Sequence, residues 1–321
     1  MSLQSALEQL AAHRIKNTRA SQDVFRNGLL VLQKKGLKKL GDDGKSFHYT
    51  CQNVTHKLLR LPAGWTFLEQ LTLASIDVGR LDIADQCLQL IADKFPNSPR
   101  VDCLTGIRIE ATESPETALK YYAEILEADS ANAGIWKRRI SVLRRTGKVE
   151  KAVNELVQFL DTFYTDVEGW LELADIYASC NQYEHSLQAL THVLLLTPQN
   201  PFYMLQAAET AYTAEDFPLA IKMFLTVVDM TDGDDSEQLL QESTPLGITV
   251  RAWFGVKLCA RRIAQNTNMK SPSNTSLPKK VELLDELATE RLRVAYSSSG
   301  QKGEIAKGRQ EVFAWVAAPL A

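Results

Sequence analysis

The chain has no apolar run approaching the ~20 residues that cross a bilayer, so no segment is expected to span a membrane. Val312 to Ala321 is apolar but only half that length, and it reads as a docking helix. No signal peptide is expected either, because Met1 to Leu40 alternates polar and apolar residues throughout. Cysteine is scarce: Cys51, Cys87, Cys103, Cys180 and Cys259 make an odd, widely spaced five without a CxxC. That pattern supports neither a disulfide framework nor a zinc site, and the five read as small apolar fillers in a cytosolic protein. The Asn53 and Asn274 sequons then have no role. An excess of positive charge is missing as well. The net charge of -3 argues against a nucleic-acid binder, whose electrostatic footprint is basic.

Catalytic signatures are also wanting. There is no Walker loop, GxSxG or HExxH, and no pair of carboxylates in an apolar setting. Gly41-Asp42-Asp43-Gly44-Lys45 has the flavour of a phosphate loop but lacks both its spacing and a preceding strand. His13, His48, His56, His185 and His192 are scattered, and His185 and His192 stand seven apart with no acidic partner in register. The expectation is a protein that is not an enzyme, with no cofactor and no metal.

What the chain does have is a period. Shifted by 34 residues it lands on itself: Ala84, Ala118, Ala152, Ser186 and Ala220 form one column, and Leu88, Tyr122, Leu156, Leu190 and Phe224 form a second four positions on. Trp170, Leu173, Ala174, Tyr177, Tyr183, Ser186, Leu190 and Pro198 reproduce almost the whole tetratricopeptide pattern. Positions 170, 173, 174 and 177 make one stripe on a first helix, and 183, 186, 190 and 193 make one on a second. Small residues at the crossing let the helices approach, and Pro198 closes the unit because proline cannot continue a helix. Gly106, Ile140, Ala174 and Ala208 hold the close-contact position of the first helices. Pro115 is tolerated in the first turn of its helix, where no hydrogen bond is lost.

The predicted fold is therefore all-α, a tetratricopeptide-repeat superhelical solenoid with N- and C-terminal capping helices. With 45% hydrophobic residues, 321 residues suffice for one extended domain. Residues 65–232 are expected to hold five repeats, beginning near Trp65, Pro99, Ala133, Val167 and Pro201. Residues 1–64 supply two helical patterns over 3–40 and a loop insertion. Residues 233–321 supply an acidic linker, a divergent sixth helix pair over 245–296 with a long turn at 266–278, and a last helix over 304–318.

First helices of such repeats line a concave groove through the second, fifth, ninth and twelfth positions of each unit. Those positions give Arg100, Cys103, Ile107 and Glu110; then Lys137, Ser141 and Arg144; then Glu168, Leu171 and Asp175; then Phe202, Leu205, Glu209 and Tyr212. The third unit also concentrates charge, with Lys137, Arg138, Arg139, Arg144, Arg145, Lys148 and Lys151. This strip reads either as a solvated face matched by Glu150, Glu155 and neighbours, or as a dock for an acidic partner segment or anionic lipid. The partner-binding candidates are thus the groove positions other than Glu110 and Tyr212, together with Arg138 and Arg145. A cochaperone that grips acidic peptide tails is the alternative function. Its carboxylate clamp is incomplete here: Lys137 is present, but Ser141 and Glu172 stand where asparagines belong, and Phe202 where a lysine does.

Several stretches are similar to subunit 2 of the ER membrane protein complex. The most specific runs from Trp65 through Phe95-Pro96-Asn97-Ser98-Pro99-Arg100-Val101 to Leu104-Thr105-Gly106-Ile107-Arg108-Ile109-Glu110-Ala111. Lys137-Arg138-Arg139-Ile140 with Thr146-Gly147-Lys148, Trp170-Leu171-Glu172-Leu173-Ala174-Asp175-Ile176-Tyr177, and Arg251-Ala252-Trp253-Phe254-Gly255 also fit, as does Lys39-Leu40-Gly41-Asp42-Asp43. The resemblance implies a cytosolic scaffold on the ER membrane, bound to membrane-embedded and soluble subunits of the complex. That complex inserts tail-anchored and multipass proteins, and the chain would meet the membrane through partners. Residues 44–64, 232–244 and the loop around Pro272 and Pro278 depart from the family pattern.

Overall fold

The computed structural model describes residues 3–16, 18–34, 62–231, 245, 247–266, 270–297 and 309–318. Expectations for the insertion up to residue 61, for Gly41 to Lys45, Cys51, His48 and His56, and for the 232–244 linker lie outside the described residues. Fifteen helices and no strand are found among those described. The N-terminal pair is α1 (Leu3–Ile15) and α2 (Ser21–Lys34). Five pairs follow: α3 (Pro62–Val78) with α4 (Leu81–Lys94), α5 (Pro99–Thr112) with α6 (Pro115–Ala128), α7 (Ala133–Arg145) with α8 (Val149–Thr162), α9 (Val167–Ser179) with α10 (Tyr183–Leu196), and α11 (Pro201–Thr213) with α12 (Phe217–Thr231). The chain ends in α13 (Ile248–Gln265), α14 (Val281–Ser297) and α15 (Arg309–Ala317).

Local chemistry sets the helix starts at the repeat spacing. Asn132, Asp166 and Asn200 stand 34 residues apart, each immediately before a first helix. Each side-chain oxygen accepts a backbone N–H, from Ile135 at 3.2 Å, Gly169 at 2.6 Å and Phe202 at 3.0 Å, satisfying a donor the helix cannot. Pro99, Pro115 and Pro201 occupy first-turn positions, where a missing N–H costs nothing.

The turns inside the pairs repeat too. Gly79, Gly147, Asn181 and Glu215 lie on the same 34-residue spacing with φ of 81°, 75°, 58° and 61°. The fifth turn, at Glu113 and Ser114, avoids the left-handed region and leads straight into Pro115. Glycine and asparagine adopt that region readily, whereas a glutamate there sets its Cβ against the backbone. Glu215→Gly is accordingly expected to raise stability by about 0.5–1 kcal/mol. Chemical denaturation checks this; an unchanged or lowered midpoint would refute it.

The two sequence columns are the seams of the fold. Ala84, Ala118, Ala152, Ser186 and Ala220 are at most 1% exposed, and Tyr122, Leu156, Leu190 and Phe224 at most 3%. Ser186 keeps its hydroxyl in this seam by donating to the Ala174 carbonyl at 2.8 Å.

By its internal packing the chain divides into two compact units, Met1–Glu155 and Leu156–Ala321, with the boundary inside α8. In the first, α1 packs on α2 and α2 on α3, and Leu10, Val24, Leu68, Leu71, Ile83 and Leu104 share a core with the buried thiol of Cys87. In the second, Phe217, Ile221, Phe224, Trp253, Val256, Cys259, Leu292 and Val316 form a continuous core through α11 to α15. Cys259 is a filler there, and burial pushes its thiol up to about 12.

Candidate functional site

In the first unit, α1, α2, α3, α5 and α7 frame a cleft of about 670 Å³. Its walls carry Arg14, Arg19, Arg100 and Arg138 with Glu69, Asp77 and Gln70. Most of these charges are paired. Arg19 donates twice to Asp77, at 2.7 and 3.0 Å, and Ser21 donates to the same carboxylate at 2.5 Å. The Arg19 bond holds the Asp77 carboxyl below its usual range although burial opposes this. Arg100 reaches Glu69 at 3.2 Å, and Arg14 donates to Thr66 at 2.7 Å.

Behind this cleft is a charged cluster centred on Glu110, whose side chain is 4% exposed. It accepts from the Tyr122 hydroxyl at 2.5 Å, from Arg138 Nε at 3.0 Å and Nη2 at 2.7 Å, and from Arg145 at 3.3 Å. Burial works against the Arg138 cation, but its bonds to Glu110 outweigh that and its pKa stands above the ordinary value. The Tyr122 phenol is pushed well up, first by burial and then by the Glu110 carboxylate. Tyr122 fits because Gly106 opposes it; a Cβ at 106 would overlap the ring.

In the second unit, α11, α12, α13 and α14 frame a cleft of about 440 Å³ with an apolar lining of Tyr212, Phe224, Val250, Phe254, Leu258 and Tyr296. Glu209 and Arg251 close one side as a two-bond pair at 2.5 and 2.8 Å. Among the described residues no cluster of His, Cys, Asp and Glu could hold a metal ion.

The comparisons bear on what such clefts serve. The family model described as the EMC2 TPR-like repeat domain matches residues 81–223. ER membrane protein complex subunit 2 of Xenopus tropicalis is 32% identical over 240 residues, covering 74% of each chain. This chain belongs to the ER membrane protein complex subunit 2 family. Another relative is the TPR repeat protein oca3 of Schizosaccharomyces pombe, 26% identical over 257 residues, which cover 77% of this chain and 84% of that one. Among solved structures, the C-terminal part of a TPR repeat-containing protein from Cytophaga hutchinsonii aligns with a TM-score of 0.51 at 12% identity, over 88% of this chain and 98% of that one. That likeness shows the fold alone.

In this family member the candidate residues separate into distinct settings. Arg100, Ile107 and Arg138 meet in the first cleft, and Glu209 lines the second. Cys103 lies half-buried, and burial raises its thiol. Ser141, Arg144, Glu168, Asp175 and Phe202 are exposed, Phe202 at 67%, while Lys137 and Leu171 are half-buried. Leu205 corrects the groove expectation: at 6% exposure it is a core residue, because the apolar side of α11 turns onto α12.

The basic strip is largely tied down. Arg138 and Arg145 bind Glu110, Arg139 binds Glu155 at 2.9 Å, and Lys148 binds Glu116 at 3.5 Å. At least four of its seven cations therefore serve the repeat stack. Two of the three acceptors, Glu110 and Glu116, come from the preceding repeat rather than from the neighbours in sequence. Only the spacing of 28 from Glu110 to Arg138 offered a signal, and it has no recognisable pattern.

Proposed function

We propose that this chain is a non-enzymatic scaffold subunit of the ER membrane protein complex. In this reading it is held on the cytosolic face of the endoplasmic reticulum by other subunits, and it supports assembly of a machine that inserts tail-anchored and multipass proteins. One observation carries the reading: the match to the Xenopus tropicalis subunit extends over about three quarters of both chains. The absence of any helix long and apolar enough to cross a membrane, among the described residues, is compatible with attachment through partners. Residues 65–232 act as the repeat domain in this proposal, with residues 1–64 and 233–321 as terminal segments.

The experiment is to tag the chain, solubilise membranes in mild detergent and identify what co-purifies in fixed ratio. A set of ER membrane proteins that survives washing supports the scaffold. Recovery of heat-shock chaperones alone, or of nothing, overturns it in favour of a free adaptor.

Within the scaffold reading, exposed groove positions make the partner contacts. Phe202 is the strongest of them, since a two-thirds exposed aromatic on a first helix contributes nothing to the core. Phe202→Ala should leave the denaturation midpoint unchanged and weaken partner capture by about 2 kcal/mol, the cost of losing an aromatic anchor. Retention of the full partner set at unchanged yield would remove Phe202 from the interface.

A further inference from the structure

The loop before α14 is latched to a residue more than fifty positions earlier. Asp216, only 2% exposed, precedes α12 and accepts the Leu219 N–H at 3.3 Å. Its remaining bonds go to the loop: Oδ1 accepts from the Ser271 hydroxyl at 2.7 Å and Oδ2 from the Ser273 N–H at 3.1 Å. A hydroxyl has one proton, so the chain of donors runs in one direction. Thr275 donates to Ser273 at 2.7 Å, Ser273 donates to Ser271 at 3.0 Å, and Ser271 donates to Asp216. The Ser271 oxygen also accepts the Thr275 N–H at 3.1 Å. A single hydroxyl proton, that of Ser271, thus separates a buried carboxylate from the oxygens of the loop.

We propose that Ser271 is a phosphorylation site, taken by a serine/threonine kinase that accepts proline at the following position, and that the modification releases this latch. Two observations point to the substrate class. Pro272 supplies no N–H, so the enzyme must take an apolar ring there. Pro272, Ser273 and Asn274 are exposed within 270–280, the longest described stretch without helix. By contrast, Ser98, Ser114 and Thr197 also precede prolines but sit in short turns against helix ends.

In the reaction the Ser271 Oγ attacks the γ-phosphorus of a nucleoside triphosphate. The new O–P bond forms as the bond to the leaving diphosphate breaks, and the hydroxyl proton passes to the kinase base. The product loses one of the three donors to Asp216 and sets a near-dianion against a buried carboxylate, which repels it. Ser276 would respond in the opposite sense, because Lys222 donates to it at 3.2 Å and a phosphate there would tighten the contact. Leu277 and Val281, which rest on the core of the second unit, would lose their hold when the latch opens. The proposal is independent of membership in the membrane complex.

The test treats the full chain with a purified proline-directed kinase and ATP, maps the phosphate by mass spectrometry, and follows hydrogen exchange over 217–224 and 270–284. Phosphate at Ser271 with roughly tenfold faster exchange in both segments is expected, the scale of losing a hydrogen bond to a buried charge. Asp216→Asn, which keeps an acceptor but removes the charge, should blunt the acceleration. Phosphate absent from Ser271, exchange unchanged by it, or an equal acceleration in Asp216→Asn would each overturn the proposal. The first two outcomes need no variant, so a poorly folded Asp216→Asn leaves the test intact.

Discussion

Asp285→Ala is expected to destabilise the C-terminal helices by about 3–5 kcal/mol, the cost of removing one partner from a buried ion pair. Lys257 on α13 has no side-chain exposure. All three protons of its ammonium are used, on Asp285 Oδ1 at 2.9 Å, Asp285 Oδ2 at 3.0 Å and Thr289 at 2.6 Å. Arg261 approaches the same carboxylate at 3.8 Å. It also donates to the carbonyls of Trp315 and Ala318 at 2.9 and 2.7 Å and lies 4.5 Å above the Trp315 ring. Asp285 is therefore the anion that lets two cations join α13, α14 and α15, and its loss leaves a fully buried ammonium facing only a hydroxyl.

The pH dependence follows from the same burial, which pulls the Lys257 pKa below its ordinary value of 10.5 against the opposing pull of Asp285. With the folded pKa lowered, the unfolded chain binds more protons between that value and 10.5, so this group adds stability as pH rises through the window. Removing Asp285 takes away the group that raises the pKa. The defect should therefore shrink at alkaline pH as Lys257 sheds its proton. Hydrogen exchange of the α13 amides reads both effects. A loss under about 1 kcal/mol would place the pair in the range of an exposed ion pair, and a defect indifferent to alkaline pH would contradict the buried-charge account. The double replacement Lys257→Met with Asp285→Leu should recover most of the stability, because apolar residues of similar volume replace buried pairs well.

Glu110→Ala is expected to cost about 2–3 kcal/mol in the first unit, below the full buried-pair penalty because the Arg138 side chain is 32% exposed and water can reach it. The substitution strands Arg138 and the Tyr122 hydroxyl together, since both donate to this one carboxylate. Tyr122→Phe removes a single donor and should cost only about 1 kcal/mol. Denaturant titration of both variants distinguishes a shared hub from independent bonds. Near-equal losses would show that Glu110 matters to Tyr122 alone.

The helix pairs were legible because a repeat writes its crossings into every copy. The small column from Ala84 to Ala220 and the large one beside it are needed wherever two helices touch, whatever the neighbours contribute. Beyond the repeats, α13 and α14 keep helical spacing although the 34-residue frame is broken before them. The alternation of solvent and core along α11 was misjudged at Leu205. Leu205 packs instead into the core that α11 shares with α12 and α13.

The sequence alone determined the all-α repeat architecture, because it rests on local periodicity and on residues that recur in register, while the near-balanced charge follows from composition and the family from overall identity to its relatives. Tertiary structure alone decided the hubs: Glu110 beneath two arginines, Lys257 sealed against Asp285, and Asp216 holding the Ser271 loop. Each is a polar group taken out of water, stable only if partners 28 to 57 residues away arrive within hydrogen-bonding distance. Where the backbone delivers those partners depends on packing that no single helix encodes.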